Sequence, residues 1–182
     1  MATVVRRLTL VGLVIIGSLG FPSDASSQGG VKNPAATAAF LYNCALFVEW
    51  PTGTAESGDF VIGISDAPGS MVSQVMAAMI GRKIKGRTVR VRSVKPEDDL
   101  AAYRIVFSSG DSKSTAALMG RIGDLPVLTV GDRDGFLSEG GLVHVSLDDE
   151  RFQFEVDLAR AQRAGLKFSS KMLGLARPAK AQ

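Results

Sequence analysis

The chain has 182 residues, of which 46% are hydrophobic and 21% are charged, and its formal net charge is +3 at pH 7. This is the composition of an ordinary soluble globular protein, and the charge is too small to require nucleic acid or a membrane surface as the partner. A single cysteine, Cys44, excludes an intramolecular disulfide, and a single histidine, His144, excludes a Cys/His zinc pattern.

The amino-terminal stretch has the layout of a secretory signal peptide. Arg6 and Arg7 precede an apolar run over residues 8–19, which is followed by helix-breaking residues and by small residues where a signal peptidase cleaves. The run is well short of the roughly 20 residues that span a bilayer. We therefore predict a cleaved signal peptide over residues 1–25, with an uncleaved membrane anchor as the alternative.

The rest of the chain predicts one α/β domain. Residues 26–33 are small and polar and indicate a flexible mature amino terminus, the domain covers 34–177, and a tail follows over 178–182. The predicted elements, in chain order, are a helix over 34–50, a strand over 60–65, a helix over 68–81, a strand over 87–94, a turn or short helix over 96–100, a strand over 103–109, a helix over 112–123, strands over 126–131, 142–148 and 151–158, and helical segments over 159–166 and 169–176. This alternation predicts a three-layer sandwich. Its mostly parallel, Rossmann-like sheet has about six strands, including a carboxyl-terminal antiparallel hairpin, with helices on both faces.

The first helix carries the only cysteine and the only tryptophan, in the stretch "AAFLYNCALFVEWP". Asn33 and Pro34 provide an N-cap and a first helical residue. Cys44 falls on the apolar stripe of the helix, which favours a buried packing role. Intermolecular pairing or redox sensing of this thiol is the alternative, because a nucleophilic cysteine would need a nearby base.

Two further stretches carry charge in a pattern. The run "RKIKGRTVRVRSVK" (residues 82–95) has seven Lys or Arg, but no aromatic residues for stacking bases, so a solvated strand face or a protein-docking surface is favoured over a polyanion site. The loop "DRDGFLSEGG" (residues 132–141) lacks the acidic spacing of an EF-hand. His144 alternates within a strand, and no catalytic, cofactor-binding or metal-binding residues are predicted.

The ends of the domain resemble a known family. "AAFLYNCALFVEWP" followed by "FVIGI", and "LTVGDRDGFLSEGGLVHVSLDDERFQFEVDLARAQRAGLKFSSKMLGLA", are similar to the opening and closing signatures of the YfiR-like family. The resemblance implies a non-catalytic periplasmic protein that requires no cofactor and forms dimers. It further implies repression of an inner-membrane diguanylate cyclase through its periplasmic sensory domain, which lowers cyclic-di-GMP output and biofilm formation. Family members carry disulfide-forming cysteines, whereas this chain has Ala101 and Ala102 near one of those positions.

Five residues are expected to contact the partner, which would be a diguanylate cyclase or a sensor kinase. They are Phe47, Glu49, Trp50, Phe136 and Leu137, chosen as aromatic or flanking residues at a helix end and in a glycine-bounded loop. For Phe47 and Trp50, closing the core is the favoured alternative. A second reading is a small-molecule binding component for a sensor kinase or transporter, with a pocket at the carboxyl ends of the strands. An exported enzyme is the third and poorest reading.

Overall fold

The computed structural model describes residues 33–53, 58–148 and 151–177. The predicted signal peptide, nearly all of the predicted flexible segment after it, and the predicted tail lie outside these residues. Within them the chain forms helices α1 (Pro34–Phe47), α2 (Gly69–Met79), α3 (Ser112–Ile122), α4 (Leu158–Arg163) and α5 (Ser170–Leu173), and a 3₁₀ helix (Leu100–Ala102). No helix of the described residues is long and apolar enough to cross a membrane.

The strands form one large sheet and one small ladder. They are β1 (Val48–Glu49), β2 (Phe60–Ser65), β3 (Lys83–Ile84), β4 (Arg87–Ser93), β5 (Ile105–Ser108), β6 (Leu128–Gly131), β7 (Val143–Asp148), β8 (Arg151–Val156) and β9 (Lys167–Phe168). The large sheet has the order β3-β4-β2-β5-β6-β7-β8, and β1 pairs with β9 separately. The five central strands run parallel, and β3 and β8 add antiparallel strands at the two edges.

The apolar residues divide into two clusters because side chains alternate along each strand. Ile105 and Phe107 of β5 enter the larger cluster, together with residues of α1, α2, α4 and α5. Val106, between them, enters the smaller cluster with Leu118 of α3 and with Phe136 of the loop that follows β6. The mixed α/β fold with a mostly parallel sheet is therefore confirmed. The sheet has seven strands where about six were predicted.

The end of the first helix differs from the prediction. Helix α1 stops at Phe47, and Val48 has extended backbone angles and pairs with Phe168 of β9. The helical pattern predicted a helix to residue 50, but hydrogen bonds to a strand that is distant in sequence replace the last turn. Ile80, predicted on the apolar side of α2, is 76% exposed because the helix ends at Met79 and Ile80 no longer has helical backbone angles (φ −54°, ψ 131°).

Candidate partner-contact surface

The start of α1 is fixed by its own sequence. Asn33 Oδ1 accepts hydrogen bonds from the backbone N–H groups of Ala35 (3.1 Å) and Ala36 (3.2 Å), and Pro34 occupies the first helical position. The buried face of the helix includes Leu41 and Cys44. The helix is thus set against the core in one orientation, which determines which residues at its end face solvent.

Cys44 is a core residue, as predicted. Its side chain is 1% exposed, and burial raises the pKa of the thiol far above its ordinary value by disfavouring the charged thiolate. Because the thiolate is the reactive form, the thiol is inert in this environment. It remains a free cysteine.

Beyond α1 the chain alternates between exposed and buried positions. Phe47 is 38% exposed, Val48 is fully buried and Glu49 is exposed. The pairing of Val48 with Phe168 and of Glu49 with Lys167 fixes this alternation, and the N–H of Ser169 donates to the carbonyl of Phe47 at 2.9 Å. An aromatic ring and a carboxylate are therefore exposed to solvent on backbone that is paired with β9.

Trp50 lies at the edge of this surface and closes the core. Its ring contacts Phe60 edge-on, with centroids 5.5 Å apart, and Lys85 Nζ lies 5.2 Å from its centroid. The indole Nε1 is buried without a hydrogen-bond partner among the described residues. Packing dominates the environment of this side chain, which is the alternative that the sequence favoured.

Lys85 connects the β3–β4 turn to the end of α1. Its Nζ donates to the carbonyl of Val48 at 2.8 Å, and its backbone has φ of +49°. With Gly86 at φ of +79°, the two residues form a tight hairpin turn in which both central positions are left-handed. A lysine is an unusual choice at such a position. This role was not predicted from the sequence, although the Lys-Gly pair between strand-like residues is a turn signal.

Phe136 is placed against expectation. Its ring is 1% exposed and lies between two backbone segments, where a Cβ on either Gly131 or Gly141 would overlap the ring. Leu137 is half-buried and packs on the same cluster. In this structure Phe136 therefore presents no aromatic surface to a partner. The glycines that bound the loop make room for its ring.

The loop around Phe136 is held by polar contacts as well. Arg133 forms an ion pair with Glu139 and donates from Nε to the carbonyl of Gly110 at 3.2 Å. Ser112 at the start of α3 donates to the other oxygen of Glu139 at 2.5 Å. Glu139 is thus neutralised by an arginine, and no group of three or more potential metal ligands occurs among the described residues. These contacts indicate a structural role for the loop.

The carboxyl ends of β2 and β5 meet where the chain reverses its direction along the sheet, which is the usual ligand position in open parallel sheets. Ser65 Oγ is buried there without a hydrogen-bond partner in the described part of the chain, and Ser108 beside it shares a 3.0 Å hydrogen bond with Thr115 of α3. Asp66 follows β2 with a backbone φ of +53°, and a Cβ on Gly110 would lie 2.5 Å from its carboxylate. Asp66 and Gly110 therefore lie close together at these strand ends.

His144 lies in β7, as the alternation predicted, and it is half-buried. Its Nε2 lies 3.9 Å from Asp134 Oδ1. Across the hairpin it pairs with Glu155 of β8. Neither a serine nor a cysteine is hydrogen-bonded to this histidine in the described structure.

The described residues form a mixed α/β domain with Phe47 and Glu49 exposed at the end of α1. Its sequence matches the model of the YfiR/HmsC-like family over residues 34–177. The match covers well over half of the chain, and the chain belongs to that family. No curated protein gives a significant match.

Proposed function

We propose that this protein is a periplasmic regulator that binds the sensory domain of an inner-membrane signalling protein, most simply a diguanylate cyclase, and represses it. The family match over residues 34–177 carries the proposal, because the YfiR/HmsC-like family has a regulatory role. In this role a cleaved signal peptide exports the chain. Repression then lowers cyclic-di-GMP output and biofilm formation, and the protein acts as a homodimer without a cofactor or catalytic activity.

The mechanism is thermodynamic linkage. A repressor that binds the inactive state of the cyclase more tightly than the active state shifts the population toward the inactive state. Moving the cyclase from almost fully active to almost fully inactive requires an affinity difference on the order of 10⁴-fold. Such a difference can come from a few buried contacts, so the residues of the contact surface are expected to dominate it.

Of the five candidate contact residues, Phe47 and Glu49 are the ones we assign to the partner. Both are exposed, and both stand on backbone that is fixed by the β1–β9 pairing. Trp50 supports them from the core side through its contact with Phe60. Phe136 and Leu137 act through the stability of their loop, since the ring of Phe136 is 1% exposed.

The test is crosslinking of the tagged mature protein in intact cells, followed by mass spectrometry of the captured membrane proteins. We expect an inner-membrane cyclase or kinase in the wild-type sample and its loss with Phe47→Ala and Glu49→Lys. Leu158→Ala, which removes an apolar side chain that is 52% exposed on α4, is the matched control and should retain capture. Capture of no membrane protein despite good periplasmic expression would contradict the proposal.

The second candidate function is binding of a small molecule for a sensor kinase or transporter. One observation favours it: the buried Ser65 Oγ lacks a hydrogen-bond partner in the described structure and lies at the point where parallel sheets bind ligands. The ring of Phe136 fills the space beside Gly131, at the end of β6, and beside Gly141. Thermal-shift screening of the wild type against Ser65→Ala tests this candidate, since a ligand of this crevice must lose its stabilising effect in the variant.

A further inference from the structure

The outer edge of β4 is open along part of its length. The N–H of Val89 donates away from β2, to Arg82 O at 3.1 Å, whereas the N–H of Val94 donates toward β2, to Ile64 O at 3.1 Å. Because alternate residues of a strand direct their backbone groups to the same side, the N–H groups of Val91 and Ser93 point outward. Strand β3 pairs only with Arg87 and Thr88, so no strand of the described residues covers the edge beyond Val89.

The side chains along this edge differ between the two faces of the sheet. Val89 and Val91 are buried in the larger apolar cluster, and Arg90 and Arg92 are exposed on the opposite face. The stretch 82–95, which contains the edge, has seven Lys or Arg and no acidic residue. An incoming strand would therefore meet two arginines on one face of the sheet, two residues apart.

The two arginines are held in place by aromatic and acidic neighbours. The guanidinium carbon of Arg92 lies 4.6 Å from the centroid of the Tyr103 ring, and that ring is fixed against Gly63, where a Cβ would lie 2.7 Å from it. Arg90 Nε donates to Asp59 at 2.8 Å, yet its side chain is 68% exposed. Each guanidinium has five N–H donors, and a planar guanidinium binds carboxylates in a two-point geometry.

We propose that the edge of β4 binds an acidic, extended segment of a partner protein as an added strand, with carboxylates at alternate positions facing Arg90 and Arg92. Backbone hydrogen bonds to the N–H groups of Val91 and Ser93 give such a segment its register. Residues two apart on a strand lie about 6.6–6.8 Å from each other on the same face, so both carboxylates reach their arginines together.

The same arginines exclude other strands. Charged residues at an open edge oppose pairing with neutral strands, and like charge opposes β4 of a second copy or any basic segment. The edge is thus protected from general aggregation and remains selective for acidic chains. This inference goes beyond the proposed function because it assigns a second surface and the chemistry that the surface recognises.

The probe is a fluorescein-labelled seven-residue peptide of alternating glutamate and valine, with a lysine–valine peptide of the same length as the control. We expect the mature protein to bind the acidic peptide in fluorescence anisotropy and to bind at least tenfold more weakly to the basic one. Affinity should fall as salt is raised, because exposed charges are screened. Amide exchange followed by NMR should show new protection at Val91 and Ser93.

Two pairs of variants separate the backbone contribution from the charges. Ser93→Pro removes an outward N–H and leaves the β2–β4 hydrogen bonds intact, and it should weaken binding about two- to tenfold. Ser93→Ala keeps the N–H and should bind as the wild type does. Arg90→Glu combined with Arg92→Glu should abolish binding, whereas Arg121→Glu, an exposed change on α3, should not.

Four results would overturn the inference: no binding of the acidic peptide, equal binding of both peptides, protection that avoids Val91 and Ser93, or protection of these amides that rises with protein concentration alone. The last result would assign the edge to a second copy. If Ser93→Pro fails to fold, the comparison of the Arg90→Glu, Arg92→Glu double variant with Arg121→Glu still tests the inference. Because a synthetic peptide is the probe, the peptide test is independent of the crosslinking test. Peptide binding can fail while membrane-protein capture succeeds, and capture can fail while the peptide binds.

Discussion

The end of α1 and the loop before β7 each hold a phenylalanine, and the two rings lie in opposite environments. Phe47 is 38% exposed at the end of a helix, whereas Phe136 is 1% exposed between Gly131 and Gly141. Both segments are bounded by residues that break regular structure. The glycines beside Phe136 leave space for a ring to lie on the backbone. An aromatic residue in a loop that is bounded by glycines is therefore better interpreted as a buried packing residue than as a residue that contacts a partner.

The largest expected effect is that of Phe136→Ala. Removing a fully buried ring costs about 3–5 kcal/mol through lost burial and the cavity that remains. Phe47→Ala should cost about 1 kcal/mol or less, because its ring already contacts solvent. Urea unfolding of both variants measures the difference, and a cost below about 1 kcal/mol for Phe136→Ala would remove the contrast between the two regions.

A double-mutant cycle between Gly141 and Phe136 sharpens the same comparison. Gly141→Ala introduces a Cβ that overlaps the ring of Phe136, so it should destabilise the wild type strongly. In the Phe136→Ala background the ring is absent, and the same change should cost about 1–3 kcal/mol less. Additive costs in the cycle would show that Gly141 is required for some other reason. Gly120→Ala, with open space around its Cβ, is the control.

Lys85 tests the other region, at the end of α1. Lys85→Ala loses the hydrogen bond to the carbonyl of Val48 and the contact with Trp50 but keeps the left-handed backbone, so we expect a loss of about 1–2 kcal/mol. Lys85→Gly loses the same contacts but removes a backbone strain of about 1 kcal/mol. It should therefore be more stable than Lys85→Ala in thermal unfolding. The reverse order would contradict the strained-turn interpretation.

The smallest effect concerns the pH dependence of Asp111, which is the N-cap of α3. Hydrogen bonds from Ser114, first from its backbone N–H, hold the pKa of Asp111 below its usual range. A lowered folded pKa gives stability that is present above the unfolded value, near 3.9, and is lost as the pH falls through the folded value. Asp111→Asn keeps a good N-cap without the charge. Its melting temperature should fall less than that of the wild type between pH 5 and pH 3, and parallel curves would contradict the assignment.

Some features of the fold could be predicted because they follow from local periodicity. The alternation of valine and arginine in β4 and the position of Cys44 on α1 are both found as expected. Strands β3 and β9 have only two residues each, which is too short for any period to show. The exit from α1 at Phe47 depends on β9, more than a hundred residues later, so no window around residue 47 could reveal it.

The candidate site was less predictable for a related physical reason. Exposure of an aromatic residue is decided by what packs on it from distant segments, as with Phe60 and Lys85 around Trp50. The sequence did not distinguish Phe47, which is exposed, from Trp50, which packs against Phe60. For Phe136 a local signal was present: glycines at positions 131 and 141 allow a close approach of ring and backbone.

The pairing of β1 with β9 also has a consequence for how the chain folds. Residues 48–49 pair with residues 167–168. The strand that directly follows α1 is therefore completed only by residues near the end of the domain. Contacts of such large sequence separation require closure of a long loop, which slows folding. The proposed contact surface at Phe47 and Glu49 is therefore expected to form late, after the parallel sheet. A chain shortened before residue 167 would retain most of its strands and lack this surface.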